Sequence, residues 1–396
     1  MVSKYDFDTL VNRFGTNSVK YDEMPSDDTI ALWVADMDFE TAPVVRQALN
    51  KRMEHGCFGY TFVPDSYYQS VVDWFSRRHS WTIDRSWIIY TSGVVPAISA
   101  IIKAVVGEQH GRSISNPKEN VKILVQTPVY NCFFSNIRNN ACEVLENPLL
   151  YRDGRYSVDW EDFERKVAED DVKIFLLCNP HNPAGRVWTK GELQRMGEIC
   201  KAHDVFVISD EIHCEFTNDC PYTPFASVSD APCAVCISPT KAFNIAGLQI
   251  ANIVVKDEQI RNKVDRAINI NEVCDVNPFG VIALQAAYTE EGEAWLSELN
   301  DYIYANYRYA CQYFSDNFPQ YTVTQLEGTY LMWVDISASG MTSDAYADRL
   351  MRDAHVCVNA GTMYGETTGR NFIRINLATQ RSRLEEAFKR MRRVFP

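Results

Sequence analysis

Between residues 87 and 255, short runs of apolar residues alternate with longer segments in which apolar residues recur at helical spacing. The short runs predict buried strands at residues 87–92, 121–126, 172–178, 205–210, 233–238 and 251–255. The segments between several of these strands, such as residues 189–204, have the pattern of amphipathic helices. Buried strands that alternate with helices indicate an α/β fold with a mostly parallel sheet covered by helices on both faces.

The pattern changes after about residue 285. A long helical pattern over residues 292–318 precedes two short apolar runs, residues 329–336 and 371–378. This order predicts a smaller α/β domain at the C-terminus. We therefore expect an N-terminal arm that contributes to the small domain (residues 1–45), a large domain (residues 46–285) and a small domain (residues 286–396).

Composition limits the possible functions. The chain has 396 residues, 46% of them hydrophobic, and a formal net charge of −13. That charge argues against nucleic acid or an anionic membrane as the main partner, although a local pocket can still bind a small anion. The N-terminus has no signal-peptide pattern, and no apolar run approaches the roughly 18–20 residues that cross a bilayer. We expect a cytoplasmic protein.

The 12 cysteines are scattered and do not form a disulfide framework. Cys233 and Cys236 form a CxxC pair within a predicted strand, where residues three apart point to opposite faces. We therefore expect apolar packing from these cysteines and no metal site.

Three chemically suggestive positions lie where predicted strands end. Ligands of open parallel sheets bind outside the carboxyl ends of the strands. Asp210 closes one strand, Lys241 follows another, and "SGVVPAI" (residues 92–98) follows a third. Backbone N–H groups of Gly93, Val94 and Val95 would form a phosphate site at a helix N-terminus. An ordinary strand-to-helix turn explains that stretch equally well.

Lys241 is the most informative of these residues. It lies between two apolar runs, and burying a lysine is costly unless its charge is removed or used. Asp210 is either a helix cap or the partner of a cationic ligand group. His213, three residues later, could donate to the same ligand, although a lone histidine is more often a core residue.

Two further segments offer groups that could bind a ligand. "CNPHNPAGRVW" (residues 178–188) is a rigid turn that holds Asn179 and Asn182, and loop structure alone also explains it. In "NFIRINLA" (residues 371–378), Arg374 shares a strand face with Phe372 and Asn376. Its guanidinium suits a substrate carboxylate, and a structural salt bridge is the alternative.

These motifs together resemble a known family. "SPTK" (residues 238–241), Asp210, "HNPAG" (residues 181–185) and "FIRIN" (residues 372–376) are similar to fold type I pyridoxal-phosphate enzymes, the aspartate aminotransferase superfamily. "IALWVADMDFETAP" (residues 30–43), "FGYTFVP" (residues 58–64) and "TPVYNCFF" (residues 127–134) resemble its MalY/PatB-like cystathionine β-lyase branch. The resemblance covers nearly the whole chain.

The resemblance implies a role for each motif. Lys241 would link covalently to pyridoxal 5′-phosphate and then act as general base at the substrate Cα. Asp210 would keep the pyridine nitrogen protonated, and Tyr130 would stack on the ring. The remaining cofactor contacts would come from Asn182, His213, Gly93, Val94, Val95, Ser238, Thr240 and, from a second subunit, Tyr60. Arg374, the backbone near Trp33, and Asn182 would bind the substrate.

The implied activity is a carbon–sulfur β-lyase that converts L-cystathionine or L-cysteine to pyruvate, ammonia and a thiol or hydrogen sulfide. Aspartate aminotransferases have a phosphate-binding arginine eight residues after the lysine, where this chain has Gln249. That replacement weakens the alternative of an aminotransferase more than it weakens the cofactor prediction. The resemblance also implies a homodimer with shared active sites and, less strongly, regulatory binding of a transcription activator.

Overall fold

The computed structural model describes residues 4–107, 121–270 and 275–396. Its α-helices are α1 (Pro43–His55), α2 (Asp65–His79), α3 (Val94–Val106), α4 (Cys132–Asn139), α5 (Trp160–Val167), α6 (Lys190–Ala202), α7 (Phe225–Val228), α8 (Glu258–Asn269), α9 (Pro278–Ala287), α10 (Glu290–Asn317), α11 (Ser343–Ala354) and α12 (Arg381–Val394). Within these described ranges, no helix combines the length and apolar character needed to span a bilayer.

The strands are β1 (Ile30–Ala31), β2 (Ile88–Thr91), β3 (Lys122–Val125), β4 (Glu143–Glu146), β5 (Leu150–Arg152), β6 (Arg155–Ser157), β7 (Val172–Cys178), β8 (Phe206–Asp210), β9 (Cys233–Ile237), β10 (Ala251–Val254), β11 (Thr322–Val323), β12 (Leu331–Asp335), β13 (Val356–Cys357), β14 (Asn359–Ala360) and β15 (Phe372–Asn376). Each of the strands predicted in the first two-thirds of the chain is present, with ends that differ by a residue or two.

The large sheet has seven strands in the order β2-β10-β9-β8-β7-β3-β4. Strand β10 runs antiparallel to both of its neighbours, and the other pairs are parallel, so the predicted mostly parallel sheet is confirmed. The edge strand β4 was not predicted from the sequence. Its residues are partly or fully exposed, and a glutamate stands at each end, so it lacks the apolar run of a buried strand.

Helices cover both faces of this sheet because its strands are apolar on both sides. In β7, Ile174 and Leu176 join a core cluster with α3 and α4, whereas Phe175 and Leu177 face the cluster that contains α5 and α6. Cys236 belongs to the first cluster and Cys233 packs against the second. The two cysteines of the CxxC pair therefore face opposite sides of the sheet, as expected.

A second, antiparallel sheet lies in the C-terminal part of the chain, in the order β11-β12-β15-β14. Helix α12 places Leu384, Phe388 and Met391 in the adjoining core, at the spacing of one helix face. The N-terminal strand β1 pairs in parallel with β13. This pairing brings the segment after residue 31 beside β15, which carries Arg374. The proposed domain boundaries at residues 45 and 285 stay a prediction.

Candidate active site

The site lies at the carboxyl edge of the large sheet, where β2, β3, β7, β8 and β9 all end. Loops after these strands enclose a cavity of about 210 Å³. The residues predicted from the sequence that line it are Gly93, Val94, Val95, Tyr130, Asn182, Asp210, His213, Thr240 and Lys241. Residues from five separate segments of the chain thus meet in one place.

Lys241 lies in the turn that follows β9, and it is partly buried. Its Nζ donates a hydrogen bond of 2.5 Å to the Ala35 carbonyl oxygen. Burial, with a smaller effect from the Arg374 charge, lowers the pKa of the Lys241 ammonium to about 8. A substantial fraction of this amine is therefore neutral near physiological pH and can act as a nucleophile or base.

Asp210 ends β8 and is buried. Its Oδ1 accepts a hydrogen bond of 3.1 Å from the Ile212 backbone N–H. Its neighbours in the adjacent strands are Cys178 and Cys236, which supply no charge to balance a carboxylate. Burial raises the pKa of the Asp210 carboxyl to about 7. A cationic ligand group at this position would restore its ionised form.

Helix α3 begins at Val94 with its N-terminus at the cavity, and no side chain caps it. The first backbone N–H groups of a helix have no intrahelical acceptor and favour an anion. Thr240 and Gln249 line the same cavity. Ser238 is not one of the lining residues, and its hydroxyl bonds to the Ile250 carbonyl oxygen at 2.6 Å and to the Thr240 hydroxyl at 2.7 Å.

Arg374 in β15 is buried and is not one of the residues that line the cavity, but it bonds to Asn182, which does line it. Its Nη1 donates to Asn182 Oδ1 at 3.2 Å, and its Nη2 donates to the Trp33 carbonyl oxygen at 2.8 Å. Its guanidinium lies over the Tyr364 ring at 4.8 Å. Neutral acceptors hold the guanidinium and leave its charge uncompensated, which suits a carboxylate ligand. The structural salt bridge considered from the sequence is not among its contacts with the described residues.

His213 and Tyr130 complete the walls of the cavity. The His213 Nδ1 is buried without a hydrogen-bond partner among the described residues. Burial holds the pKa of the His213 imidazole well below its usual value, so the ring is neutral. Burial also raises the pKa of the Tyr130 hydroxyl well above its usual value. An orphaned buried nitrogen facing a cavity indicates a ligand atom that the protein alone does not supply.

Tyr60 lies outside this cavity, on the segment between α1 and α2. Its side chain is 99% exposed, and Phe62 nearby is 78% exposed. Such an exposed aromatic pair is typical of a surface that a second molecule covers. The position is compatible with the predicted role of Tyr60 in another subunit.

Some residues of the site were not found from the sequence. Ala35 lines the cavity through its backbone, and its carbonyl oxygen accepts bonds from Lys241 and from the Tyr330 hydroxyl. Asn359 donates to the Trp33 carbonyl oxygen at 2.9 Å. Backbone acceptors have no sequence signature. The signal that marks Asn359 is its cross-strand pairing with Arg374, and the sequence does not show that pairing.

The donors and acceptors of the cavity fit pyridoxal 5′-phosphate. The cavity offers a lysine amine for the aldehyde of the cofactor, a buried carboxylate for its ring nitrogen and an uncapped helix N-terminus for its phosphate. The orphaned His213 nitrogen is available for a further polar group of the ring. The fit rests on this whole set of chemically different groups, because each of them alone has an ordinary structural explanation.

Comparison with known proteins agrees with this geometry. Residues 27–391 match the model of the family "Aminotransferase class I and II", so the chain belongs to that family. The predicted superfamily and its fold are thereby confirmed. Pyridoxal 5′-phosphate is the cofactor, as predicted, since solved structures with the same fold contain it.

Within the family, the chain is similar to carbon–sulfur lyases. It is 37% identical to cystathionine beta-lyase PatB of Bacillus subtilis, over 98% of this chain and 99% of that protein. Cystalysin of Treponema denticola superposes with a TM-score of 0.92 at 32% identity, covering 98% of each chain. A pyridoxal-phosphate-bound putative aminotransferase of Clostridium difficile also has a TM-score of 0.92, at 40% identity and with 99% and 100% covered.

Proposed function

We propose that this enzyme cleaves the Cβ–S bond of L-cystathionine or L-cysteine by α,β-elimination. L-Cystathionine and water would give pyruvate, ammonia and L-homocysteine, and L-cysteine would give hydrogen sulfide in place of homocysteine. The prediction of a carbon–sulfur lyase is borne out by the full-length similarity to PatB and cystalysin. The observation that carries the proposal is that Lys241 and Asp210 line one cavity and that Arg374 bonds to Asn182, which lines the same cavity.

Pyridoxal 5′-phosphate bound in this cavity supplies an electron-withdrawing ring that acidifies the substrate's Cα–H. Lys241 would hold its aldehyde covalently, and Asp210 would hold its ring nitrogen. Asn182 and His213 would bond to the ring's 3-hydroxyl oxygen, and Tyr130 would pack on its face. The phosphate would be held by Gly93, Val94, Val95, Ser238, Thr240 and Tyr60 of another subunit. The Ser238 hydroxyl would have to give up its hydrogen bond to the Ile250 carbonyl oxygen in order to donate to the phosphate.

Arg374 binds the α-carboxylate of the substrate in this proposal, with Asn182 and the backbone at Trp33 beside it. A guanidinium held by two neutral acceptors is already oriented before the substrate arrives, which lowers the entropic cost of binding. The Lys241 amine then takes the proton from Cα. A lowered lysine pKa is what a base needs to work near neutral pH.

The test is incubation of the purified protein with L-cystathionine and with L-cysteine, followed by detection of pyruvate, ammonia and the thiol. Steady-state rates across cysteine conjugates of increasing size would define the preferred substrate. Lys241→Ala should lose both the activity and the visible absorbance of the covalently held cofactor. Lys256→Ala, at an exposed position, is the matched control and should keep both. Amino transfer that depends on an added keto acid, without pyruvate release, would contradict the proposal.

An aminotransferase is the second candidate, and its support is the similarity to the Clostridium difficile putative aminotransferase. Both reactions need the same removal of the Cα proton. They differ in whether a second substrate accepts the amino group, so pyruvate formation without an amino acceptor separates them. Binding of a transcription activator stays a prediction, which a pull-down with Lys241→Ala would test.

We also propose a cytoplasmic homodimer with shared active sites. The exposed Tyr60 and Phe62 support a subunit contact near the segment between α1 and α2. Because Tyr60 lies outside its own chain's cavity, a phosphate contact from this residue requires a second copy. Light scattering that detects a fully active monomer would contradict the dimer.

A further inference from the structure

The segment of residues 33–36 follows β1 and crosses the site. Its first carbonyl oxygen, that of Trp33, accepts two hydrogen bonds. One comes from Arg374 Nη2 at 2.8 Å, and the other comes from Asn359 Nδ2 at 2.9 Å. This carbonyl therefore fixes one edge of the guanidinium that is proposed to bind the substrate carboxylate.

The carbonyl oxygen two residues later, that of Ala35, also accepts two hydrogen bonds. Lys241 Nζ donates at 2.5 Å, and the Tyr330 hydroxyl donates at 2.9 Å. Tyr330 is completely buried and packs edge-on against His213, with the ring centres 5.6 Å apart. This second carbonyl therefore holds the amine that is proposed to act as the base.

The carbonyl groups that follow Trp33 and Ala35, those of Val34 and Asp36, share one side-chain donor. Asn376 Nδ2 donates to the Val34 and Asp36 carbonyl oxygens, each at 2.6 Å. Asn376 Oδ1 accepts from the Ala378 backbone N–H at 2.8 Å, so the amide group is fully used. Asn376 is completely buried and lies two residues after Arg374 on the same face of β15.

The far side of the segment is tied to the lysine loop. Asn244, three residues after Lys241, accepts from the Met37 N–H at 2.9 Å. Its Nδ2 donates to the Met37 and Phe39 carbonyl oxygens at 3.0 and 2.8 Å. The segment is therefore held between the strand that carries Arg374 and the turn that carries Lys241.

We propose that Asn376 is a positioning residue and that, through the segment of residues 33–36, it fixes Arg374 and Lys241 relative to each other. The proposal rests on the proposed function for the roles of those two residues. The Trp33 carbonyl bonds to the substrate-binding guanidinium and the Ala35 carbonyl bonds to the base, while Asn376 holds the carbonyl group that follows each of them. A shift of the segment would then misplace the carboxylate site and the base together.

The test compares three variants. Asn359→Ser removes a donor from the Trp33 carbonyl and from the Tyr364 hydroxyl, whose ring lies against the Arg374 guanidinium, and we expect it to raise KM about fivefold with little change in kcat. Tyr330→Phe removes a donor from the Ala35 carbonyl alone, and we expect it to lower kcat about fivefold with little change in KM. Asn376→Ser should do both, by about tenfold each.

A second readout does not depend on activity. Hydrogen exchange of residues 31–38 should become about tenfold faster in Asn376→Ser, because the bonded Met37 and Asp38 amides lose the support of the segment. Asn317→Ser, at the end of α10, is the matched control and should leave exchange in this segment unchanged. Unchanged exchange in the Asn376 variant, or kinetic constants within about twofold of the parent, would overturn the proposal.

If Asn376→Ser does not fold, the double variant of Asn359→Ser with Tyr330→Phe decides the question. A combined loss of kcat/KM that exceeds the product of the single losses supports coupling through the segment, and independent losses overturn it. Failure of the proposed function is distinguishable from failure of this inference. In that case the parent protein would release no pyruvate, whereas the hydrogen-exchange comparison would still give its own answer.

Discussion

At the scale of single residues, burial changes the chemistry of the two groups that matter most. It raises the pKa of Asp210 to about 7 and lowers the pKa of Lys241 to about 8. Both shifts disfavour the charged form, so the ligand-free pocket is electrostatically costly for the protein. A cofactor that takes the lysine into a covalent bond and gives the carboxylate a cationic partner removes both costs.

Asp210→Asn should therefore stabilise the cofactor-free protein at pH 8 while abolishing lyase activity. The pKa of the Asp210 carboxyl rises from 3.8 to about 7 on folding, which corresponds to about 4 kcal/mol. Between pH 3.8 and about pH 7, the folded state binds more protons than the unfolded state does, so the free energy of unfolding falls as the pH rises through this range. Denaturation of the parent and of Asp210→Asn apoproteins at pH 4.5 and at pH 8 measures the difference.

The control for this prediction is Asp204→Asn, which changes an exposed aspartate in the turn before β8. It should leave the pH dependence of stability as it is in the parent protein. Equal destabilisation of the Asp210 variant at both pH values would show that the ionised Asp210 carboxylate does not lower the free energy of unfolding of the parent apoprotein.

The charged side chains of the site could be found from the sequence, whereas the backbone groups to which they bond could not. Lys241, Asp210 and Arg374 stand out because a charged residue within an apolar run is costly, and all three meet at the site. The carbonyl groups of Trp33 and Ala35 could not be found in this way. Any residue carries a carbonyl group, so its use is decided by the path of the backbone and not by the side chain.

At the scale of elements, apolar strands were predictable and the order of the sheet was not. Each buried strand of the large sheet has an apolar run, whereas β4 is exposed at both ends and only partly buried between them. The antiparallel direction of β10 also leaves no mark in its own residues, since Ala251–Val254 is buried throughout, as the parallel strand β8 is. Direction depends on the connections and pairings that the whole chain allows.

The HNPAG loop after β7 depends on close packing against the segment before β12. Gly328 lies over this loop, and a Cβ there would come within 2.7 Å of Val187 Cγ2 and 2.9 Å of Pro180 Cβ. Its N–H also donates to the Gly185 carbonyl oxygen at 3.0 Å. The loop that presents Asn182 to the cavity is therefore fixed by a contact that only glycine permits.

Gly328→Ala should accordingly destabilise the protein by about 1–3 kcal/mol, because the loop or the facing segment must move. Displacement of Asn182 should also weaken substrate binding, since its Oδ1 is a partner of Arg374. Chemical denaturation and steady-state KM measure the two effects. Gly191→Ala in the first turn of α6 is the control, because no atom lies within 4 Å of the added Cβ and alanine favours a helix. A Gly328 variant as stable as the parent would contradict this account of the loop.

At the scale of the whole molecule, the site combines parts of the chain that are far apart in sequence. The segment of residues 33–36 bonds to both Lys241 and Arg374, although more than 100 residues separate the segment from Lys241 and Lys241 from Arg374. The pairing of β1 with β13 makes this possible by bringing the N-terminal arm to the C-terminal strands. The arm therefore contributes directly to the site, and removing it should disable the enzyme even if the large sheet folds.

The proposed dimer adds a test that uses two inactive proteins. Tyr60→Ala should lack the phosphate contact that its partner subunit needs, and Lys241→Ala should lack the covalent bond to the cofactor. In a mixed dimer of the two variants, one of the two sites has both intact residues if Tyr60 serves the opposite subunit. Random re-association would then restore about one quarter of the parent activity, since half of the dimers are mixed and each has one complete site. If Tyr60 instead acted within its own subunit, the mixed dimer would gain no complete site from the Lys241→Ala chain, and activity would not exceed that of the separate variants.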